Sequence, residues 1–500
     1  MNRQISTVAL ISLVLLASLV VATTYWQSWE APTLAAKQDN AIQLVAQFHI
    51  KRGLIYASDG KTVLAANIAQ HTAGGTLFFR RYPTNGLASQ VVGYSTQGRS
   101  RAGIELADNA YLTATNANLG TIFDKLSQTI RGATVTGNNL VLNLRVNAQK
   151  IAETALQGRC GAAVVLNPKT GQVYVMASSP GYNPNKIESA SGFASILNSP
   201  SACPGSSSAL YNRATEGLYA PGSTFKTVTA AAALDSGLAK PTSSFFDPGY
   251  CTEYGKQITN ALDQNGPERF GNVDLFQAFV HSINAVFCDL GIKIGAKLIL
   301  DEAKQFGFYS APPIDLPPSE VAASGLYDFS KHRLFDSPAL VDPGRLAFGQ
   351  ERMLVTPLQM ALVAAGVANN GTIMVPHLLN RVLSSTGGTV VTVHPKVWKQ
   401  HAMKPATAAE LNQMMQGVVS SGTGAAAQIP GVLVAGKTGT AETGLPNVYT
   451  AWFIFFAPAD NPQVAGAIAV EHQLNGFGGS VAAPIAKQLM QAILPTVSKQ

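Results

Sequence analysis

Charged residues are scarce in this sequence, and the scarcity narrows the class of protein. Only 13% of its 500 residues are Asp, Glu, Lys or Arg, whereas soluble domains usually contain about 25%. The sequence also lacks internal repeats, low-complexity tracts and a collagen-like glycine period. These properties exclude a disordered chain, a charged tail protein and a coiled coil. The length is typical of about two to four domains.

Cysteine is also rare, and basic residues form no run. The cysteines are too few for a disulfide scaffold and none forms a C-x-x-C pair, so we expect no metal site. The net charge of +7 is a modest excess over a large surface. Such an excess of positive charge could attract nucleic acid, lipid headgroups or an acidic wall polymer. Because the basic residues form no cluster, we expect no nucleic-acid partner. The four cysteines are Cys160, Cys203, Cys251 and Cys288.

An uncharged segment begins the chain. Between Arg3 and Glu30 no residue is charged, and Val8–Ala22 is almost wholly apolar. This pattern predicts a single membrane-spanning helix with its N-terminus inside and bulky aromatic residues at its outer end. The alternative is a signal peptide cleaved after Ala22. Both alternatives place the remaining chain outside the cytoplasm, where disulfides can form. The aromatic residues are Tyr25, Trp26 and Trp29.

The region after this segment has the signals of a small mixed domain. Asp59-Gly60 between two apolar runs predicts a hairpin. Leu140–Leu144 is typical of a strand, and we expect Asn147 to cap a helix that ends near Leu156. That helix marks a domain boundary. The predicted parts are a cytoplasmic N-terminus and anchor (1–30), an N-terminal domain (31–158) and a second domain (159–500).

The second domain begins and ends with predicted strands. Between them the chain is mostly helical and rich in loops, and Thr356-Pro357 is typical of a helix start. Strands at both ends with helices between them predict one sheet made from distant parts of the chain and flanked by helices. The strands are Gly161–Leu166, Gln172–Met176, Val432–Lys437, Tyr449–Phe456 and Val464–Glu471, and the last helix is Ala482–Leu494.

Three short motifs in the second domain carry the chemistry. Ser223 and Lys226 form S-x-x-K, Ser282 and Asn284 form S-x-N, and Lys437-Thr438-Gly439 is continued by Thr440. Each motif alone is weak, because chance supplies similar ones and each residue could be an ordinary cap, turn or surface residue. All three in this order indicate acyl transfer by an activated serine.

The spacing of the first motif suits a nucleophile and its base. Pro221-Gly222 followed by the helix-forming run Thr227–Leu234 places Ser223 at a helix N-terminus, with Lys226 one turn away. A serine hydroxyl becomes a good nucleophile when a neighbouring base removes its proton. A lysine is such a base when burial or a nearby cation, for which Lys437 is the candidate, lowers its pKa.

The other two motifs predict the rest of the site. The side chains of Ser282 and Asn284 point in opposite directions if this segment is extended, and lie on one edge if it forms a tight turn. In either arrangement the pair can supply a proton relay and an amide that holds the substrate backbone. Lys437 and Thr438 on a strand edge can bind a carboxylate. Backbone N–H groups of Ser223 and Thr440 can form an oxyanion hole. We expect the neighbouring His281 to be a bystander and Glu442 a loop residue.

With these motifs, nearly the whole chain resembles the class B penicillin-binding proteins, and most of all the small actinobacterial enzymes of the penicillin-binding protein A type. The resemblance implies an α+β fold: a central antiparallel five-stranded sheet flanked by helices, a helical subdomain, a smaller N-terminal α+β pedestal domain and one transmembrane helix. Further matching segments are Arg52-Gly53, Asp59-Gly60, Gly103-Ile104-Glu105, 179–185, 212–214, Gly349-Gln350, 356–359 and 482–484.

The resemblance also implies the activity. Ser223 would form an acyl-enzyme on D-Ala-D-Ala stem peptides and crosslink nascent glycan strands, β-lactams would acylate the same serine, and neither metal nor organic cofactor would be needed. Because residues 31–158 are too few for a glycosyltransferase domain, a membrane glycosyltransferase is the implied partner. The catalytic domain would lie outside the cell membrane. Cysteine pairing stays open, with Cys251 the favoured partner of Cys288.

Three rival functions fit the same motifs. A serine β-lactamase or β-lactam sensor would need a water-activating group, which the sequence does not reveal. A D,D-carboxypeptidase would transfer the acyl group to water, and the pedestal argues for crosslinking instead. A degenerate wall-binding scaffold would have no need of Lys226.

Overall fold

The structure is a computed structural model that describes residues 2–30, 48–73, 75–198, 203, 208–253, 255–263, 266–330 and 333–497. It begins with an apolar helix, α1 (Asn2–Thr24), which continues as π-helical turns over Tyr25–Glu30. The stretch Arg3–Gln27 is long and apolar enough to cross a membrane. A membrane anchor and a signal sequence both meet this test, so the predicted anchor and its alternative fit the helix equally.

The elements up to residue 156 form a mixed α/β region. In chain order they are β1 (Ile55–Tyr56), β2 (Val63–Thr72), β3 (Gly75–Arg81), α2 (Ser89–Val92), α3 (Gly103–Ala107), α4 (Asn109–Leu112), α5 (Leu119–Ile130), β4 (Asn139–Leu142) and α6 (Val146–Leu156).

The next region contains the first two motifs. Its elements are β5 (Gly161–Leu166), β6 (Val173–Ser179), α7 (Ala190–Leu197), α8 (Lys226–Asp235), β7 (Ser244–Asp247), β8 (Tyr250–Glu253), β9 (Lys256–Thr259), β10 (Leu262–Asp263), β11 (Gly266–Pro267), β12 (Gly271–Asp274), α9 (Leu275–Val280) and α10 (Asn284–Gln305).

The last region contains the third motif. Its elements are β13 (Gly325–Asp328), β14 (Arg333–Leu334), α11 (Pro343–Ala347), β15 (Met353–Leu354), α12 (Pro357–Ala368), β16 (Ile373–Met374), β17 (Leu379–Leu383), β18 (Thr389–Thr392), β19 (Val397–Lys399), α13 (Pro405–Ser420), β20 (Ala435–Glu442), β21 (Val448–Ala457), β22 (Val464–Leu474) and α14 (Ala483–Val497).

The part of the chain after α6 is built on a five-stranded antiparallel sheet in the order β20-β21-β22-β5-β6. Alternate residues of β5 face opposite sides: Val164 packs in the core on the α12 side, and Val165 packs with α14 and α6. The sheet joins strands from both ends of the region with helices on both faces. The predicted α+β fold with a five-stranded antiparallel sheet is therefore confirmed.

The N-terminal hairpin is held by its turn and by a buried ion cluster. Asp59 Oδ1 accepts hydrogen bonds from the backbone N–H groups of Lys61 and Thr62, and β1 pairs antiparallel with β2, as predicted. Glu105 is fully buried, and its carboxylate contacts Arg52 at 2.7 Å and Arg80 at 2.6 Å. The ion cluster therefore joins the Arg52-Gly53 segment to the Gly103-Ile104-Glu105 segment.

The two parts of the chain on either side of the predicted boundary near residue 158 each contribute elements to the other. The N-terminal sheet has the order β18-β17-β4-β1-β2-β3, so two of its strands come from residues 379–392. Conversely, α6 packs on the five-stranded sheet, where the Gln149 side chain donates to Met176 O and accepts from Met176 N, both at 2.9 Å. The division into 31–158 and 159–500 remains a prediction.

Several predicted boundaries are wrong by a few residues. Asn147 is not the cap of α6: the helix begins at Val146, and Arg145 stands at the cap position, where its guanidinium lies 4.9 Å from the Tyr174 ring centre. The strand predicted over Val432–Lys437 is instead β20, because pairing with β21 extends through the third motif. Glu442 is consequently the last residue of that strand and not a loop residue.

Two disulfides link segments that follow α6. Cys160 is bonded to Cys203, and Cys251 is bonded to Cys288. The second bond confirms the favoured pairing and joins β8 to α10. Thr356 caps α12 by accepting a hydrogen bond from the Gln359 N–H at 3.1 Å, which confirms the predicted helix start.

Candidate active site

The three motifs meet beside β20, an edge strand of the five-stranded sheet. Ser223 lies in a 3-10 turn, Gly222–Phe225, directly before α8. Gly222 has φ +51, and a Cβ there would lie 2.9 Å from the carbonyl oxygen of Thr440. Only glycine allows this backbone conformation and this approach at low cost. Gly222 therefore lets the Ser223 turn pack directly against β20.

Lys226 is fully buried and its Nζ has defined partners. It donates to the backbone oxygen of Ser282 at 2.7 Å and to Asn284 Oδ1 at 2.8 Å, with Ser282 Oγ further away at 3.4 Å. Burial, and secondly the charge of Lys437, hold the pKa of Lys226 well below its ordinary value. The environment therefore favours a neutral amine.

A neutral lysine amine has two N–H donors and one lone pair. The Ser282 carbonyl and Asn284 Oδ1 take both donors of Lys226. The lone pair then remains to accept a proton. Within the described ranges no group is hydrogen-bonded to the Ser223 hydroxyl, so that hydroxyl and the lone pair are both available to a reacting substrate.

Lys437 approaches the same serine from β20. Its Nζ donates to Ser282 Oγ at 2.8 Å and to the Thr438 carbonyl at 3.2 Å. Lys437 is fully buried, and burial lowers its pKa to about 7. The Ser282 hydroxyl is thus the direct link between the S-x-N motif and the third motif.

Ser282 owes its position to a tight turn between α9 and α10. Its φ of +59 is unusual for a residue with a side chain and costs about 1–3 kcal/mol. The turn directs both the carbonyl and the hydroxyl of Ser282 towards Lys226. Of the two predicted arrangements the structure has the tight turn. Asn284 then begins α10, where its Nδ2 donates to the Thr259 carbonyl at 3.0 Å.

The remainder of the third motif packs closely against the turn and the adjacent loops. A Cβ on Gly439 would lie 2.8 Å from the Pro221 carbonyl oxygen. The Thr438 and Thr423 hydroxyl oxygens lie 2.6 Å apart. Thr440 Oγ1 accepts a hydrogen bond from the Gly478 N–H at 3.3 Å. Glycine is needed where β20 meets the nucleophile turn, and the threonines connect β20 to two loops.

Sequence reasoning missed Thr423 and the Thr259 carbonyl. Thr423 lies between two glycines after α13, a weak signal for a close backbone approach. The Thr259 carbonyl acts through its backbone, so no side chain could have identified it. His281 is exposed and stacks on Phe270 with ring centres 5.2 Å apart; among the described residues it has no hydrogen bond to the three motifs.

A buried polar cluster supports the loop that precedes Ser223. The Arg213 guanidinium lies 3.1 Å from Glu471 of β22, and the Tyr219 hydroxyl donates to the same carboxylate at 2.7 Å. Trp452 of β21 donates through its indole N–H to the Ala220 carbonyl at 3.0 Å. The sheet interior therefore fixes the two residues before Pro221.

Comparison with known proteins gives consistent matches. Residues 161–491 match the family described as penicillin binding protein transpeptidase domain, and residues 52–140 match the penicillin binding protein A dimerisation domain. The peptidoglycan D,D-transpeptidase PbpA of Mycolicibacterium smegmatis is 33% identical over 99% of this chain and 99% of its own. The MrdA transpeptidase of Escherichia coli is 27% identical over 72% of this chain and 58% of its own.

Solved structures of penicillin-binding protein A from M. tuberculosis are also similar. A ceftriaxone acyl-enzyme complex has a TM-score of 0.79 and 31% identity, covering 90% of this chain and 100% of that chain. A penicillin G acyl-enzyme complex has a TM-score of 0.77 and 32% identity, covering 89% of this chain and 100% of that chain. Both structures are acyl-enzyme complexes with a β-lactam.

Proposed function

The chain belongs to the penicillin-binding protein transpeptidase family, and from that membership we propose that it is a serine-type peptidoglycan D,D-transpeptidase. Its substrate is the D-Ala-D-Ala end of a stem peptide on a nascent glycan strand. The first half-reaction forms an acyl-enzyme and releases D-Ala. In the second, an amine of a neighbouring stem peptide attacks the ester and makes a crosslink. β-Lactams acylate the same serine and block it.

The single observation that carries this assignment is the environment of Lys226. Its two hydrogen-bond acceptors and its lowered pKa leave a lone pair one turn from Ser223. In the proposed mechanism Lys226 removes the Ser223 proton as Oγ attacks the carbonyl carbon. The Ser282 hydroxyl, which contacts both lysines, returns that proton to the leaving D-Ala amine.

The negative charge of the tetrahedral intermediate needs fixed donors. The backbone N–H groups of Ser223 and Thr440 are the proposed oxyanion hole, supported by the close packing of Gly222 on Thr440. Lys437, Thr438 and Thr440 bind the terminal carboxylate, and Gly439 keeps the strand close to the nucleophile turn. Lys437 has three N–H donors when charged and two protein acceptors, which leaves one donor for the substrate.

Labelled penicillin tests the nucleophile directly. Peptide mapping after treatment of the full-length protein should place the adduct on Ser223, and a Ser223→Ala variant should take up no label. Ser208→Ala is a suitable control, because Ser208 lies outside the three motifs. An adduct on another serine would refute the assignment of Ser223.

The lifetime of the adduct separates a transpeptidase from a β-lactamase. Among the described residues no carboxylate is hydrogen-bonded to Ser223, Lys226 or Lys437, so general-base activation of a deacylating water, worth about 10²–10⁴-fold, is not provided there. A chase with unlabelled drug should show a slowly lost label. Loss within seconds with steady hydrolysis would indicate a β-lactamase. If the acyl group of a donor peptide is transferred only to water even when an amine acceptor is present, the enzyme is a carboxypeptidase.

We also propose the location and the division of the chain. Residues 1–30 form a retained cytoplasmic N-terminus and anchor, 31–158 a pedestal domain and 159–500 the transpeptidase domain outside the cell membrane. A membrane glycosyltransferase supplies the glycan strands, since the dimerisation-domain match already occupies residues 52–140. Membrane fractionation and N-terminal sequencing should find the full chain in membranes. A soluble form beginning near Thr23 would favour the signal peptide.

A further inference from the structure

Helix α5 of the N-terminal region has its apolar side turned outward. Large apolar residues recur along it at intervals of three and four, which places them on one face. These residues are 46% to 76% exposed, and patches of this kind are uncommon on a monomer surface unless they bind something. The apolar face of α5 consists of Leu119, Ile122, Phe123, Leu126 and Ile130.

Polar contacts fix this orientation. Thr121 is buried and donates through Oγ1 to Asn138 Oδ1 at 3.2 Å. Gln128 donates to Ser385 Oγ at 3.3 Å and accepts from the backbone N–H of Thr136 at 2.8 Å. The polar side of α5 is therefore held against the protein, and rotation of the helix to bury its apolar face would break all three contacts.

The helix lies near the point where the tethered chain joins the domain. The Lys51 N–H donates to the Val135 carbonyl, and the Gly137 N–H donates to the Lys51 carbonyl. Thr136, between these partners, is the residue bonded to Gln128 of α5. Residues 31–47 connect Glu30, the last residue of the π-helical turns, to Phe48 and can span at most about 60 Å. With α1 in a membrane, α5 is next to the point where the connecting chain enters the domain.

We propose that the apolar face of α5 lies in the membrane interface and forms a second membrane contact beside the anchor. An amphipathic helix in this position buries its apolar side about 5–10 Å into the boundary between headgroups and acyl chains. A second copy of the chain is a poorer occupant. A helix of this length is about 18 Å long, and one helix pair of that size buries less than the roughly 1,200 Å² of a stable interface.

The proposal rests on the retained anchor of the proposed function, and the experiment measures the two separately. All described cysteines are in disulfides, so Phe123→Cys introduces one thiol for an environment-sensitive fluorophore. The full-length protein is reconstituted in vesicles of phosphatidylcholine and phosphatidylglycerol that carry nitroxide lipids. Ile292→Cys is the matched control, because Ile292 is an apolar residue of α10 with 49% exposure. Flotation of the vesicles reports the anchor, and penicillin acylation reports the fold.

We expect the label at position 123 to be quenched by a shallow nitroxide, less by a deep one, while the label at 292 is not quenched. Adding Leu126→Glu should reduce quenching at 123 to the level of the 292 control, because a charge opposes insertion of the apolar face. A label at 123 that stays in water, although the protein floats with the vesicles, would refute the second contact and leave the anchor intact. A label at position 123 could instead be shielded from water to a degree that increases with the number of protein molecules per vesicle and does not depend on nitroxide lipids. This result would show that a second copy of the chain covers α5, and it would also refute the membrane contact.

Discussion

The side-chain oxygen of Asn284 lies 2.8 Å from Lys226 Nζ, and its side-chain nitrogen lies 3.0 Å from the Thr259 carbonyl oxygen. Asn284 therefore bridges the proposed base and the β8–β9 hairpin. This contact fixes the direction of the Lys226 side chain, and the position of the base depends on structure well outside the three motifs.

Replacement of the proposed base tests the mechanism most directly. We expect Lys226→Ala to lower the rate of penicillin acylation about 10²–10⁴-fold, because this is what a general base that takes the nucleophile's proton contributes. Stopped-flow measurement with fluorescent penicillin gives this rate, and circular dichroism checks the fold. Lys150→Ala, at an exposed lysine of α6, should acylate normally. Near wild-type acylation by Lys226→Ala would refute the assigned role.

The pH dependence of acylation should report the lowered pKa of Lys226. The rate should rise with pH through an inflection well below 10.5, because the base must be neutral. Lys437→Met removes a neighbouring positive charge, so the pKa of Lys226 and the inflection should move to higher pH. Lys437→Arg keeps the charge and should show no such shift while retaining partial activity. An identical profile in Lys437→Met and wild type would contradict the coupling of the two lysines.

Alanine substitutions at two glycines can separate the effect of steric crowding at the site from the effect of backbone strain. Gly222 and Gly237 both have positive φ, but an added Cβ meets Thr440 only at Gly222 and has open space at Gly237. Each alanine variant should lose about 1 kcal/mol or more of stability from the unfavourable backbone conformation. Only Gly222→Ala should also lose acylation, because the Ser223 turn must move from β20. Equal acylation by both variants would show that this close approach is dispensable.

The two disulfides enclose loops of similar length but differ in their relation to the site. Their sequence separations are 43 and 37, so removing either bond should cost about 2–4 kcal/mol. Only the Cys251→Ala, Cys288→Ala variant should also slow acylation, because that bond fastens the hairpin that contacts Asn284. Cys160→Ala with Cys203→Ala is the control. Thermal unfolding and the acylation rate are measured for both double variants. An equal loss of acylation in the two variants would contradict a special role of the Cys251–Cys288 bond at the site.

The buried carboxylate of the N-terminal sheet should be essential to its stability. Glu105→Ala leaves the Arg52 and Arg80 guanidinium groups without their counter-ion, and removing one partner of such a cluster costs about 3–5 kcal/mol. Glu442→Ala changes an exposed carboxylate and should stay within about 0.5 kcal/mol of wild type. Urea unfolding of the full chain measures both. Equal stabilities would show that the ion cluster contributes little.

Local signals are sufficient to predict most of the five-stranded sheet and the three motifs that the structure brings together, because the motifs and the strand patterns are short and contiguous. The end of β20 is not predicted since Gly439 disfavours a strand locally; pairing with β21 overrides this preference. The left-handed Ser282 and the contact of Thr423 with Thr438 arise from packing between segments far apart in sequence. Asn147 was misplaced because the helix starts without a side-chain cap.

The least predictable feature is the pairing of β17 with β4, which places Leu379 beside Leu142. A chain shortened to begin at residue 159 would lose that neighbour and expose a hydrogen-bonding edge, a ready template for aggregation. The same ladder joins the two halves mechanically: tension applied at Lys51, which is hydrogen-bonded to Val135 and Gly137 just before β4, would pass through β4 into β17. Residues 379–392 form two strands of the N-terminal sheet, so the hydrogen bonds of that sheet resist a pull that would part the two halves of the chain. A cut near residue 158 would separate the halves only if the β17–β4 ladder also broke.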